Sequence, residues 1–310
     1  MLIAITGASG FVGSYTVASL KRAGHTVRAL VRATSRRDHI AQHVDDFRVG
    51  ELHDPQALAG LVAGADAVIH NGADWDARRA GPVPNFERNV MGSLRLLEAA
   101  RQAGAEQFVF VSSVAVYHEI PAGAGGRITE ETVTWPEGTY GAYKAAIESH
   151  LKAYHVTYGM NTSAWRPAAI YGIDPKLERS QWYDTIRDVK QGKRISIEQG
   201  GKITHVQDVA DALTLAIGDA TVAGQFYNLV DRYLYWQEVA EIAKELTGSS
   251  AEIENRKGTG PKNQFDTTKS IDFFTRHGNA VALRRGTEGV REYVRELLPL
   301  VPSPGTPGEG

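Results

Sequence analysis

Leu2-Ile-Ala-Ile-Thr-Gly-Ala-Ser-Gly-Phe-Val-Gly13 is the stretch that decides the fold. Leu2 to Thr6 reads as a strand, Gly7 as a turn, and Phe11 to about Ala23 as a helix closed by Gly24. Gly7 permits the tight turn, and Gly10 lets backbone approach a phosphate. Gly13 allows the helix to pack close to the strand, while the helix N-terminus attracts a pyrophosphate. Glycines spaced this way between a strand and a helix form a dinucleotide-binding fingerprint.

Working outward, β-branched runs alternate with amphipathic helices. Strands are expected at Thr26 to Val31, Phe47 to Val49, Ala67 to His70, Gln107 to Ser112 and Thr162 to Trp165. Helices are expected at Pro55 to Val62 behind an Asp54 N-cap, at Asn85 to Gln102, and from Tyr140 to about Tyr158. The alternation predicts an α/β fold, a Rossmann-type doubly wound parallel sheet. After Tyr171 the signals are mixed: helix at Ser180 to Lys190, extended chain at Arg194 to Ile197, helix at Asp208 to Ile217, strand at Gln225 to Val230, helix at Trp236 to Leu246. We expect a dinucleotide-binding domain of residues 1–171 plus about 205–230. A smaller mixed α/β C-terminal substrate lobe takes about 172–204 and 231–296, and the Pro/Gly-rich tail, 297–310, is expected to be disordered.

The second strand should reveal the dinucleotide. Val27-Arg-Ala-Leu-Val-Arg32 ends without the acid that would bind the ribose hydroxyls of NAD. Arg32, helped by Arg36 or Arg37, suits a 2′-phosphate, so the expected cofactor is NADP, with NAD possible.

Charge and composition remove other classes. Thirty-four basic residues stand against 36 acidic ones in 310, leaving −2 and no nucleic-acid footprint. Cysteine is absent, which excludes disulfides and thiolate chemistry. Without a signal-peptide pattern or a membrane-length apolar run, a cytoplasmic protein that engages no membrane is expected.

Tyr140-Gly-Ala-Tyr-Lys144 places a phenol and an ammonium one helical turn apart. Lowering a phenol from about 10 to about 7 takes about 4 kcal/mol of phenolate stabilisation, and a fixed cation supplies much of that. The pair reads as a proton-transfer device.

In these motifs and their order, residues 1–235 resemble the extended short-chain dehydrogenase/reductase family, also called the NAD-dependent epimerase/dehydratase family. Thr6 to Gly13 matches its TGxxGxxG loop, so the resemblance places Gly7, Ser9, Gly10, Phe11, Val12 and Gly13 against the cofactor, with Arg32 beyond them. Glu51-Leu52 is similar to the acidic-aliphatic pair that contacts the adenine. Asn71-Gly72-Ala73, after His70, resembles the HxAA segment lining the cofactor. Asn89 matches the structural Asn of the next helix and joins the catalytic set. Val111 to Tyr117 resembles SSxxVY, which makes Ser113 the catalytic hydroxyl, and Tyr140 to Lys144 is the YxxxK motif. Arg166 to Gly172 resembles RPxxxYG, which puts Pro167 at the cofactor. His205 to Ala210 and Phe226 to Val230 are similar to the elements that complete the sheet domain.

The resemblance implies Tyr140 as general acid/base and Ser113 as the group polarising the reacting oxygen. It implies Lys144 as the cation that lowers the Tyr140 pKa and binds the nicotinamide ribose. Departures are His118 after the VY pair, Tyr143 before the lysine, and Ala168-Ala169 where many nucleotide-sugar enzymes carry an Asn. Val114-Ala115 after Ser113 argue against a sugar dehydratase. The expected activity is NAD(P)-dependent reduction or oxidation of a small molecule. The alternatives are an NAD-retaining sugar epimerase and a non-catalytic dinucleotide sensor. The family also implies a homodimer, paired through the helices at about 85–102 and 138–158. Trp182 and Tyr183 are the substrate-side expectations. His39 and His43 read as a solvated face, and no metal site is expected.

Overall fold

The computed structural model describes residues 1–117, 126–256, 258, 260–261 and 263–302. Its main sheet takes seven parallel strands in the order β10-β7-β5-β4-β1-β2-β3. These are β1 (Leu2–Thr6), β2 (Thr26–Val31), β3 (Asp46–Val49), β4 (Ala67–His70), β5 (Gln107–Val111), β7 (Asn161–Pro167) and β10 (Gln225–Leu229). The short β6 (Arg127–Ile128) lies outside that sheet, pairing in parallel with β12 (Gln264–Phe265). Helices α1 (Phe11–Arg22), α2 (Pro55–Val62), α5 (Met91–Gln102), α6 (Thr139–Tyr158) and α8 (Val206–Leu215) cover its two faces.

Burial on both faces explains the apolar strands: Gln107–Val111 is buried throughout, as is Ala67–His70. Two core clusters lie on opposite sides, one around Ile3, Ile5 and Trp165, the other around Ala4, Phe108 and Phe110. That division follows the period-two alternation of each strand. From β1 the chain winds outward to β2 and β3, then reverses to β4, β5, β7 and β10. The carboxyl ends of β1 and β4 therefore flank the switch point where ligands bind such sheets.

Beyond the main sheet, β8 (Ala169–Tyr171) and β9 (Gly200–His205) run parallel, and β11 (Arg232–Tyr235) joins β9 antiparallel. Helices α7 (Tyr183–Lys190), α9 (Trp236–Thr247) and α11 (Gly286–Leu297) pack with them around Tyr171, Trp182 and Tyr293. Helix α10 (Thr268–Arg276) lies against β10 and adds Phe273 to the main core.

Three expectations need correction. The Arg194–Ile197 strand is reduced to one bridge, Ile195 to Ile253. The helix expected from Asn85 is three pieces: α4 (Pro82–Asn85), a π-helical turn at Phe86–Val90, and α5. A six-residue helix, α3 (Trp75–Ala80), precedes them. The tail does not start at 297: Leu297 closes α11, Leu298–Leu300 form a 3₁₀ turn, and buried Val301 accepts a hydrogen bond from Lys190 at 2.6 Å. Residues 303–310 lie outside the described residues, as does His118. Among the described residues no helix is long and apolar enough to cross a membrane.

Candidate active site

The glycine loop sits at the switch point. Gly7 adopts φ +73°, and a Cβ there would fall 2.8 Å from the Gly72 nitrogen. A Cβ on Gly13 would fall 2.0 Å from the Gly7 carbonyl, so α1 and β1 approach closely because that side chain is missing. N-cap Gly10 offers the first turn of α1 no side-chain acceptor, which leaves that end suited to an anion. These features fit a bound dinucleotide pyrophosphate.

Around the loop, Asn71 Nδ2 donates to the Gly7 carbonyl at 3.3 Å and the Gly72 N–H to Thr6 Oγ1 at 3.1 Å. His39 Nε2 lies 3.2 Å from the Ser9 carbonyl, so the face expected to be solvated touches the loop instead. Arg32 is exposed just past β2. Its neighbours are engaged, Arg36 with Asp38 at 2.7 Å and Arg37 over the Phe47 ring at 5.8 Å. Glu51 and Leu52 follow β3, with Leu52 packed against Gly92 of α5, and Ala73 joins the second core cluster. Pro167 ends β7.

Ser113, Tyr140 and Lys144 converge beyond the carboxyl end of β5. Lys144 is buried; its Nζ donates to the Val111 carbonyl at 2.6 Å and lies 4.5 Å from the Phe110 ring and 4.7 Å from the Tyr143 ring. Burial drives Lys144 down to about 7, with Glu148 acting in the opposite direction. Burial also raises the Tyr140 phenol above its usual range, while the Ser113 hydroxyl and the Arg78 guanidinium draw it back. This differs from the expected ammonium that lowers its neighbour. Lys144 Nζ stands 5.6 Å over the Tyr140 ring. The arrangement sets the Tyr140 hydroxyl to exchange a proton with a reacting oxygen, beside a buried amine whose pKa burial lowers.

Behind this trio two buried networks fix the helices. His70 contacts Thr6 Oγ1 through Nδ1 and Ser93 Oγ through Nε2, both at 2.7 Å, and Ser93 Oγ lies 3.3 Å from the Tyr143 hydroxyl. Tyr143 is thus a core residue linking β1 and β4 to α6. On the other side Glu148 grips Arg166 through two bonds of 2.8 Å and accepts from Ser112 at 2.6 Å. Asn89 binds Asp74 and Asn85. Trp182 and Tyr183 pack into the core around Tyr171 instead of lining an open pocket. Among the described residues no group of metal-binding side chains assembles.

Burial with no compensating anion lowers His70 to about 3; His205, also lowered by burial, lies at about 4. Both fall below the unfolded value, so the unfolded chain binds more protons on the acid side. Their stability contribution is complete above about pH 6.5 and is lost as pH falls towards the folded values. We expect denaturant stability to drop by roughly a few kcal/mol between about pH 7 and about pH 4.5. His70→Gln should flatten that slope, which unfolding curves at the two pH values measure.

Two missed features had weak signals. Trp75 and Arg78 belong to a helix too short to show a period, and His70 hides in a strand of apolar residues.

A Rossmann sheet with a glycine loop at its switch point and a Ser/Tyr/Lys set at the next strand end defines a nicotinamide-dinucleotide enzyme. The model of the NAD dependent epimerase/dehydratase family matches residues 3–229, and the chain belongs to that family. A UDP-glucose 4-epimerase from Mycolicibacterium smegmatis is 33% identical over 240 residues, covering 73% of this chain and 75% of that protein. A putative dihydroflavonol 4-reductase from Synechocystis is 36% identical over 140 residues, 45% of this chain and 40% of that one. The Thermus thermophilus UDP-glucose 4-epimerase, solved with NAD, superposes with a TM-score of 0.75 at 26% identity, covering 96% of this chain and 99% of that one.

Proposed function

We propose that this enzyme interconverts a secondary alcohol and a carbonyl of a small molecule, and that the substrate is a nucleotide sugar epimerised with retained NAD. The observation that carries the reading is the meeting of Tyr140, Ser113 and Lys144 beyond the carboxyl end of β5, in the sheet whose β1 leads into the glycine loop, supported by the epimerases among the relatives. The dinucleotide, when bound, would take a hydride from the substrate and return it. Tyr140 takes the proton of the substrate hydroxyl as the alcohol is oxidised and gives it back to the same oxygen as the carbonyl is reduced. Ser113 holds that oxygen, and Lys144, fixed by Val111, returns charge to the phenol and faces the ribose. Gly7 to Gly13 cradle the pyrophosphate, with Asn71 to Ala73 along the same edge.

A second reading is a reductase that exchanges NADP(H). Arg32 favours it: among the described residues no carboxylate pairs with its guanidinium, and it follows β2, the strand end from which a 2′-phosphate would be gripped. Ala169, exposed where many sugar enzymes carry an Asn, favours it too.

Nucleotide released from the denatured protein and identified by mass spectrometry separates the two. Retained NAD near one per chain, with UDP-sugar isomerisation and no net redox change in the nicotinamide absorbance, is expected for the epimerase. Little retained nucleotide, with tighter binding of NADP than NAD that Arg32→Ala abolishes, would overturn it in favour of the reductase. The reading includes a homodimer through α5 and α6, a cytoplasmic location, and a substrate lobe formed by about 172–204 and 231–296.

A further inference from the structure

Asn89 holds Asp74 from both sides: Oδ1 accepts the Asp74 N–H at 2.6 Å, and Nδ2 donates to the Asp74 carbonyl at 2.9 Å. The Asp74 carboxylate in turn accepts the Ala77 N–H at 2.9 Å and starts α3. Helix α3 then lays Trp75 on Tyr140, ring centroids 5.3 Å apart and planes 25° from parallel. Arg78, one turn on, sets its guanidinium carbon 5.1 Å from the centroid of each ring. The nearby acids are engaged: Asp74 caps the helix and Asp76 pairs with Arg79. Among the described residues no carboxylate pairs with Arg78.

We infer that Trp75 and Arg78 are positioning residues for the Tyr140 phenol, one fixing the ring by stacking and the other holding a permanent cation against it. This rests on Tyr140 being the acid/base. The groups facing the phenol are Ser113 from the end of β5, Tyr143 and Lys144 from α6, and Arg78 from α3. Two of these are cations. Lys144 is tied to Val111, and its burial lowers its pKa to about 7, which weakens its hold on a positive charge. A guanidinium keeps its charge throughout the range in which proteins fold. A cation over an aromatic face attracts the ring and favours the anion that ring can become. The field of Arg78 therefore persists where that of Lys144 fades, and it acts to lower the Tyr140 pKa.

The test reads Tyr140 directly and needs no substrate. With ¹³Cζ-labelled tyrosine, the Tyr140 resonance is identified by its loss in Tyr140→Phe and followed from about pH 7 to about pH 11 with NAD present. At a given pH, Arg78→Gln should lower the ionised fraction of Tyr140 by about 3–10-fold. Arg78→Lys should restore most of it, and Arg78→Glu should lower it further. Other tyrosine resonances should hold their positions, which reports an intact fold, as expected for an exposed residue. An Arg78→Gln titration that overlays wild type would overturn the inference. Absence of epimerase turnover bears on the proposed function alone, because the titration is read without catalysis.

Discussion

Tyr140→Phe is expected to cut turnover by about 10²–10⁴-fold while leaving dinucleotide affinity near wild type. The phenol is reached by Ser113, stacked by Trp75 and overlain by Lys144, so its hydroxyl is the group proposed to exchange a proton with the reacting oxygen. Phenylalanine preserves the ring, and with it the stack and the cation contacts, so the loss isolates the proton. The proposed pyrophosphate contacts lie at the glycine loop, which the substitution leaves unchanged. Steady-state turnover beside calorimetric titration with NAD checks both halves. A variant that keeps most of its activity refutes the assignment.

Glu148→Leu should destabilise the fold by about 3–5 kcal/mol, because it strands the Arg166 guanidinium in the interior. Both side chains are almost wholly buried, 2% exposed for Arg166 and 3% for Glu148. The Tyr117 hydroxyl meets the same guanidinium, but a neutral group cannot replace a carboxylate. Removing both charges, in Glu148→Leu combined with Arg166→Met, should recover most of the loss, since desolvation offsets much of what such a pair gains. Equilibrium unfolding in urea measures each step. A single variant as stable as wild type would mean that Arg166 finds another anion. Because Glu148 lies one turn beyond Lys144 and binds Ser112 beside Ser113, the single variant should also lose activity.

The main sheet was legible because each strand is short, apolar and bounded by glycine or a helix cap. Leu2–Thr6, Thr26–Val31 and Ala67–His70 stand where local pattern put them. The smaller sheet was not. β9 opens with Gly200-Gly201-Lys202, residues that form a strand because β8 and β11 flank it, not from local preference. Arg194 to Ile197 has a better strand composition and pairs at one residue, since its neighbours are loops. The long helix before β5 was read as continuous because π-helical turns carry no distinctive side-chain period. At the site, motif order located the phenol, amine and hydroxyl, and the cofactor loop. It could not reveal that burial drives the Tyr140 and Lys144 pKa values apart, or that an exposed arginine leans over the phenol. Those depend on distances across the fold.

The ribbon of β6 and β12 bears on how such chains diverge. Residues between Ser113 and Tyr140 precede the last two strands of the main sheet, β7 and β10, in chain order, yet Arg127–Ile128 is paired by Gln264–Phe265, with Arg127 bonded to Asp266 at 2.8 Å. Glu130 reaches the Asn228 N–H at 2.8 Å from the same stretch. A graft that replaces everything after β10 with a relative's sequence would leave this stretch facing a foreign partner, a few residues from the phenol. The ribbon is therefore a packing unit that is discontinuous in sequence. Changes around residues 126–130 call for matching changes around 264–266, so recombination at a single crossover between them tends to break the pairing.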